Sequence, residues 1–253
     1  MLLRDMAITR TEEALLDGVT ILFLPIYNVD GHERFGPYNR INQNGPKEMG
    51  WRTTSRNLNP NRDYMKADAV ETRAWLRVFT TWLPDFVVDA HVTDGADFRY
   101  DLTYGLETGP TVPAPVSAWL KDAVLGRVFP ALEAQGHLVT PYVFLRDDTD
   151  PAKGIAGAPT TPRFSNGYTV LQNRPCFLIE THMLKDYESR VRVTSAPIAA
   201  LLSEIGRDRA ALRAAVRRAD EEAARPGTTV LRMKSTTTGR KVPFKGIAYR
   251  REL

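Results

Sequence analysis

The stretch Leu83-Pro84-Asp85-Phe86-Val87-Val88-Asp89-Ala90-His91-Val92-Thr93-Asp94-Gly95 decides the fold class. A short β-branched run bounded by Pro and Gly reads as a buried strand. Its polar residues, Asp89, His91 and Asp94, gather at the carboxyl end, where open α/β sheets bind their ligands. His91 is therefore a candidate metal ligand or acid–base group.

Two further segments extend this reading. Residues 19–26 form an almost wholly apolar run, the pattern of a central strand covered on both faces, and lead into Tyr27-Asn28-Val29-Asp30-Gly31-His32. Cys176-Phe177-Leu178-Ile179 leads into Glu180-Thr181-His182. If the three strands are parallel, Asn28 with Asp30, Asp89 with His91, and Glu180 with His182 arrive at one sheet edge. Helical periodicity over residues 67–79, 116–135 and 195–224 supplies covering layers, the last as one long arginine-studded helix. Residues 99–107 and 141–145 are expected as further short strands, and residues 241–249 look strand-like. The fold class is α/β.

Between the first two strands, residues 35–64 lose hydrophobic periodicity and become dense in Asn, Gly, Pro and Arg. A loop this long in a compact domain is usually functional. Trp51, Tyr38 and Tyr64 within it are expected to seek burial. A second loop, residues 146–165, is rich in Asp, Pro, Gly and Thr.

Composition sets bounds. The chain has 253 residues, a formal charge of +4, a 43% hydrophobic fraction and a 25% charged fraction, enough for a full core. Much of the positive excess lies in the arginines from Arg207 onward, which fits a solvated helical face better than a nucleic-acid module. No apolar stretch reaches membrane-spanning length, so neither nucleic acid nor membrane is an expected partner. The single cysteine, Cys176, excludes an intrachain disulfide. The apolar helix pattern opens at Met1 without a capping residue, so the sequence is expected to begin inside a longer protein.

Four motifs, Pro25-Ile26-Tyr27-Asn28-Val29-Asp30-Gly31, Asn57-Leu58-Asn59-Pro60-Asn61-Arg62-Asp63, Asp89-Ala90-His91 and Leu178-Ile179-Glu180, occur in the order and rough spacing of the zinc carboxypeptidases. The chain resembles that family over residues 1–205, which would be a truncated catalytic domain, while residues 206–253 form a helix and strand-like extension without a counterpart. The resemblance implies a three-layer α/β/α sandwich with a mixed, mostly parallel sheet, phosphorylase/hydrolase-like and incomplete at the N-terminus. It also implies hydrolysis of C-terminal peptide bonds in peptides or small amides bearing a free carboxylate. His91 would be a zinc ligand and Glu180 the general base. Asn61 and Arg62 would grip the substrate carboxylate, and Arg52 would stabilise the oxyanion, with Arg56 as runner-up. Phe164 and Tyr168 compete for the place of the family's mobile tyrosine.

Some features depart from the family pattern. Its His-x-x-Glu ligand pair is absent: none of His32, His91, His137 and His182 has Glu three residues later. One imidazole does not make the three-ligand set of a catalytic zinc. Pro60 stands where an ordinary residue is expected. His32 reads as a loop residue, His137 as exposed, and His182 as a minor candidate for a substitute ligand. The alternatives are a related zinc amidohydrolase and a metal-free module that binds peptide C-termini. Oligomeric state and compartment stay open, although the family's habits point to export.

Overall fold

The computed structural model describes all residues except 94–96, 158–159, 226, 229, 231–240 and 251–253. Asp94, counted above with the strand-end cluster, therefore lies outside the described residues.

The described part of the opening stretch forms the strand expected of it, but at the edge of the described sheet and half-buried to exposed rather than buried, because a layer and a neighbour cover it on one side only. After two short helices, α1 (Leu2–Ala7) and α2 (Val29–Glu33), Leu83 ends the helix α3 (Val70–Trp82) in the left-handed conformation at φ 42°, and Val87–Val92 follows as strand β1. The other elements that frame the site are β2 (Leu102–Gly105), β3 (Val139–Pro141) and β6 (Cys176–Thr181), with a small hairpin of β4 (Phe144–Leu145) and β5 (Ile155–Ala156) and the helix α6 (Ser165–Leu171) between β3 and β6 in sequence. Among the described residues a four-stranded sheet runs β1-β6-β2-β3. β1 pairs parallel to β6 and β2 parallel to β3, while β2 and β6 are antiparallel. The sheet is mixed with mostly parallel pairs, and the class is α/β.

The core lies on one side of this sheet. Leu102, Phe177 and Ile179 pack against consecutive helical segments, α4 (Ala114–Trp119), a π-helical stretch Leu120–Val128 and α5 (Phe129–Ala134). Two more helices, α7 (Tyr187–Arg207) and α8 (Arg209–Ala223), contribute Val193, Leu201, Leu212 and Val216 to the same cluster. The helix that follows residue 208 thus shares the core with the segments before it.

Three expectations need correction. Residues 195–224 are not one helix: Asp208 leaves helical geometry at φ −142° and caps α8 by accepting the Ala211 N–H. A side-chain acceptor at that position competes with helix continuation and starts a new one. Residues 19–26 form no strand, and Leu22, Phe23 and Leu24 are 42, 59 and 54% exposed. A strand needs a neighbour for its backbone groups and layers for its faces, and no described element supplies either to this run. Residues 241–249 likewise form no strand, although Phe244 packs on Phe98 and Tyr100.

Candidate active site

The parallel register of β1 and β6 sets His91 directly opposite Glu180. Neighbours in register project to the same face of a sheet, so the two side chains meet, with His91 Nδ1 3.8 Å from a Glu180 carboxylate oxygen. Asp89, two residues before His91 on the same strand, shares that face. Its Oδ2 lies 2.8 Å from His91 Nε2. The imidazole is therefore held at one nitrogen by a carboxylate and turns the other toward Glu180, the arrangement by which carboxylates orient functional histidines.

Electrostatics follow from that geometry. Burial acts to lower the His91 pKa, but Asp89 first and Glu180 second outweigh it and raise the value to about 9. Asp89 is half-buried, and loss of solvent by itself would raise its pKa. His91, together with a hydrogen bond from Ser165, holds it below the usual carboxylate range. Arg52 is close enough to His91 for its charge to oppose imidazole protonation.

The long loop delivers the remaining groups. Asn59 caps a single 3-10 turn, Pro60–Arg62, by accepting the Asn61 N–H at 3.1 Å. Pro60 occupies the first position of that turn, where a missing N–H and a fixed φ are an advantage. The turn brings Asn61 Nδ2 to 3.5 Å from His91 Nδ1. Arg62 leaves in another direction: its guanidinium donates to the Asn61 carbonyl at 2.6 Å and lies 4.5 Å from the centre of the Phe164 ring.

Asn28 and Asp30 act as fasteners for this loop. Asn28 accepts from the Gly31 N–H at 3.0 Å and donates to the Arg52 carbonyl at 3.2 Å. Asp30 accepts the Ser55 N–H. Gly31 has no room for a side chain, since a Cβ would sit 2.3 Å from the Trp51 carbonyl oxygen. The Asn-x-Asp-Gly motif thus fixes the Arg52 backbone. Of the loop aromatics, Tyr64 is buried between Tyr27, Trp75 and Tyr168, but Trp51 is 40% and Tyr38 81% exposed.

The structure brings His91, Glu180 and Asn61 together, with Arg52 nearby, while Arg62 shares the turn of Asn61 but points toward Phe164. Arg56 is exposed and contacts none of them through any described hydrogen bond. Tyr168 is engaged in the aromatic cluster with Tyr64, Trp75 and Phe79, and Phe164 serves as a shelf for Arg62. His182 is 1% exposed, and its ring nitrogens meet Asp97, the Phe98 N–H and the Leu184 N–H, a structural role. His32 contacts Glu33 and Phe35, and His137 is half-buried rather than exposed, beside Tyr100. Sequence reasoning gave Asp89 no individual role, although its i−2 spacing from His91 on a strand was the signal that could have assigned one.

Among the described residues no group of three or more His, Cys, Asp or Glu side chains is placed to hold a metal ion. One imidazole with a neighbouring carboxylate falls short of the usual three protein ligands of catalytic zinc. No helix among the described residues is long and apolar enough to cross a membrane. No family model matches this chain, and no curated protein or solved structure matches it.

Proposed function

We propose that this chain carries a hydrolase site of the metallocarboxypeptidase type, built on a three-layer α/β/α sandwich, which acts on the C-terminal amide bond of peptides with a free carboxylate. The observation that carries the reading is the register-fixed pairing of His91 with Glu180, beside the Asn61–Arg62 turn. Each group has a distinct task. Glu180 takes a proton from an attacking water and passes it to the leaving amine. Asn61 and Arg62 hold the substrate carboxylate, the guanidinium doing so through two parallel hydrogen bonds. Arg52 offsets charge on the tetrahedral carbonyl oxygen. The zinc that the family resemblance calls for needs ligands beyond His91, so no step is assigned to it.

That incomplete ligand set favours a second reading for this chain by itself, a module that grips peptide C-termini without cleaving them. Both readings share the carboxylate grip, and calorimetry with paired peptides tests it. A peptide with a free C-terminus is expected to bind at least about tenfold more tightly than its amide, since hydrogen bonds to a charged group contribute about 1.5–3 kcal/mol. Arg62→Ala is expected to erase the difference. Equal affinities in the unmodified protein would overturn both readings. Zinc titration then separates them: stoichiometric binding with peptide hydrolysis supports the enzyme, whereas peptide affinity without either supports the module.

A further inference from the structure

Beyond Arg62 the loop opens into a cavity of about 630 Å³, lined by residues of segment 57–68 and by Arg163. The last residues of loop 146–165 reach this region. Phe164 covers the Arg62 guanidinium at 4.5 Å, and Arg163 brings a second guanidinium to the same cavity. Three cations, Arg62, Lys66 and Arg163, and two carboxylates, Asp63 and Asp68, line it.

The two carboxylates are committed elsewhere. Asp63 is buried and accepts the backbone N–H groups of Asp68 and Ala69 at 3.0 and 2.8 Å. Asp68 sits 2.6 Å from Lys66 Nζ. Arg163 has no such carboxylate within ion-pair distance among the described residues. It lies near enough for its charge to act on Lys66. A guanidinium at the wall of a cavity that already begins at a carboxylate-gripping arginine is suited to a second carboxylate a few ångströms along the same ligand.

We propose that Arg163 is a specificity-determining residue and that the cavity takes an acidic terminal side chain, so that the favoured ligand is a peptide ending in glutamate or aspartate. This rests on the carboxylate-grip reading above. The probes are three otherwise identical peptides: one ending in Glu with a free carboxylate, one ending in Gln with a free carboxylate, and one ending in Gln amide. At low salt the Glu peptide is expected to bind about tenfold more tightly than the Gln acid, the size of one charge-assisted hydrogen bond. In Arg163→Gln that ratio is expected to fall to about one. Equal binding of the Glu and Gln acids by the unmodified protein overturns the proposal, as does a preference that survives in Arg163→Gln. Failure of the underlying grip has a separate signature: Gln acid and Gln amide would then bind alike, whatever the Glu-to-Gln ratio.

Discussion

At the scale of single residues, the site depends on what holds His91. Asp89 fixes one ring nitrogen and Glu180 faces the other. Removing the carboxylate at 89 leaves a half-buried imidazole whose charged form has lost its main support. Asp89→Asn is therefore expected to bring the His91 pKa down from about 9 toward or below the ordinary 6.5. It should also cost on the order of 2–3 kcal/mol of stability at neutral pH, which urea denaturation at pH 7 would register. Unchanged stability would mean that the pair is not formed. The meeting of His91, Glu180 and Asn61 was legible because strand ends and a motif-bearing loop marked them. Asp89 was less so, because its role appears only once the period of two is applied to neighbours on β1. Arg163 was illegible: an exposed arginine in a loop without periodicity acquires meaning only from the Arg62 cavity beside it.

At the scale of elements, β1 and β6 were readable because short apolar runs flanked by turn residues have few alternatives. Residues 19–26 show the limit of that reasoning. An apolar run states that burial suits it, not which layer provides it, and here Leu22, Phe23 and Leu24 remain exposed. The attachment of the long loop was also hidden. Its anchor is Arg190 on α7, 5% exposed, which donates through one nitrogen to the carbonyls of Asn44 and Gly45. The Asn44 N–H and side chain reach the carbonyls of Met183 and Leu184, just beyond β6. Arg190→Leu is expected to leave those loop carbonyls without their donor and to cost about 2–4 kcal/mol. It should loosen the segment that carries Arg52 and Asn61. Hydrogen exchange across residues 42–62 is the measurement. Protection unchanged from the parent would show that the loop is held by other contacts. On the opposite side of the sheet, Leu212 of α8 is 3% exposed within the shared core, so Leu212→Ala is expected to lower the unfolding free energy by about 2–4 kcal/mol. A loss below about 0.5 kcal/mol would mark α8 as a loosely attached element.

At the scale of the molecule, the ion pairs define a window of stability in pH. The His91 pKa is raised above its unfolded value, so its contribution is complete below about 6.5 and disappears as pH rises through about 9. Hydrogen bonds from Arg207 and Arg174 hold Glu204 and Asp220 below their ordinary values. Their contributions are present above the ordinary carboxylate range and vanish as pH falls through the depressed values. A stability maximum between these limits is expected from denaturation midpoints measured across pH. A maximum above pH 9 would contradict the His91 assignment. The central claim, that β1, β6 and the Asn–Arg turn converge on one carboxylate-binding pocket, is tested most directly by side-chain NMR of the four histidines during titration with a free-carboxylate peptide. The prediction is one imidazole titrating near pH 9, identified by its loss in His91→Gln, whose resonances shift on peptide addition in the parent protein and not in Arg62→Ala. An imidazole at 91 that titrates near 6.5 and ignores the peptide would contradict the account.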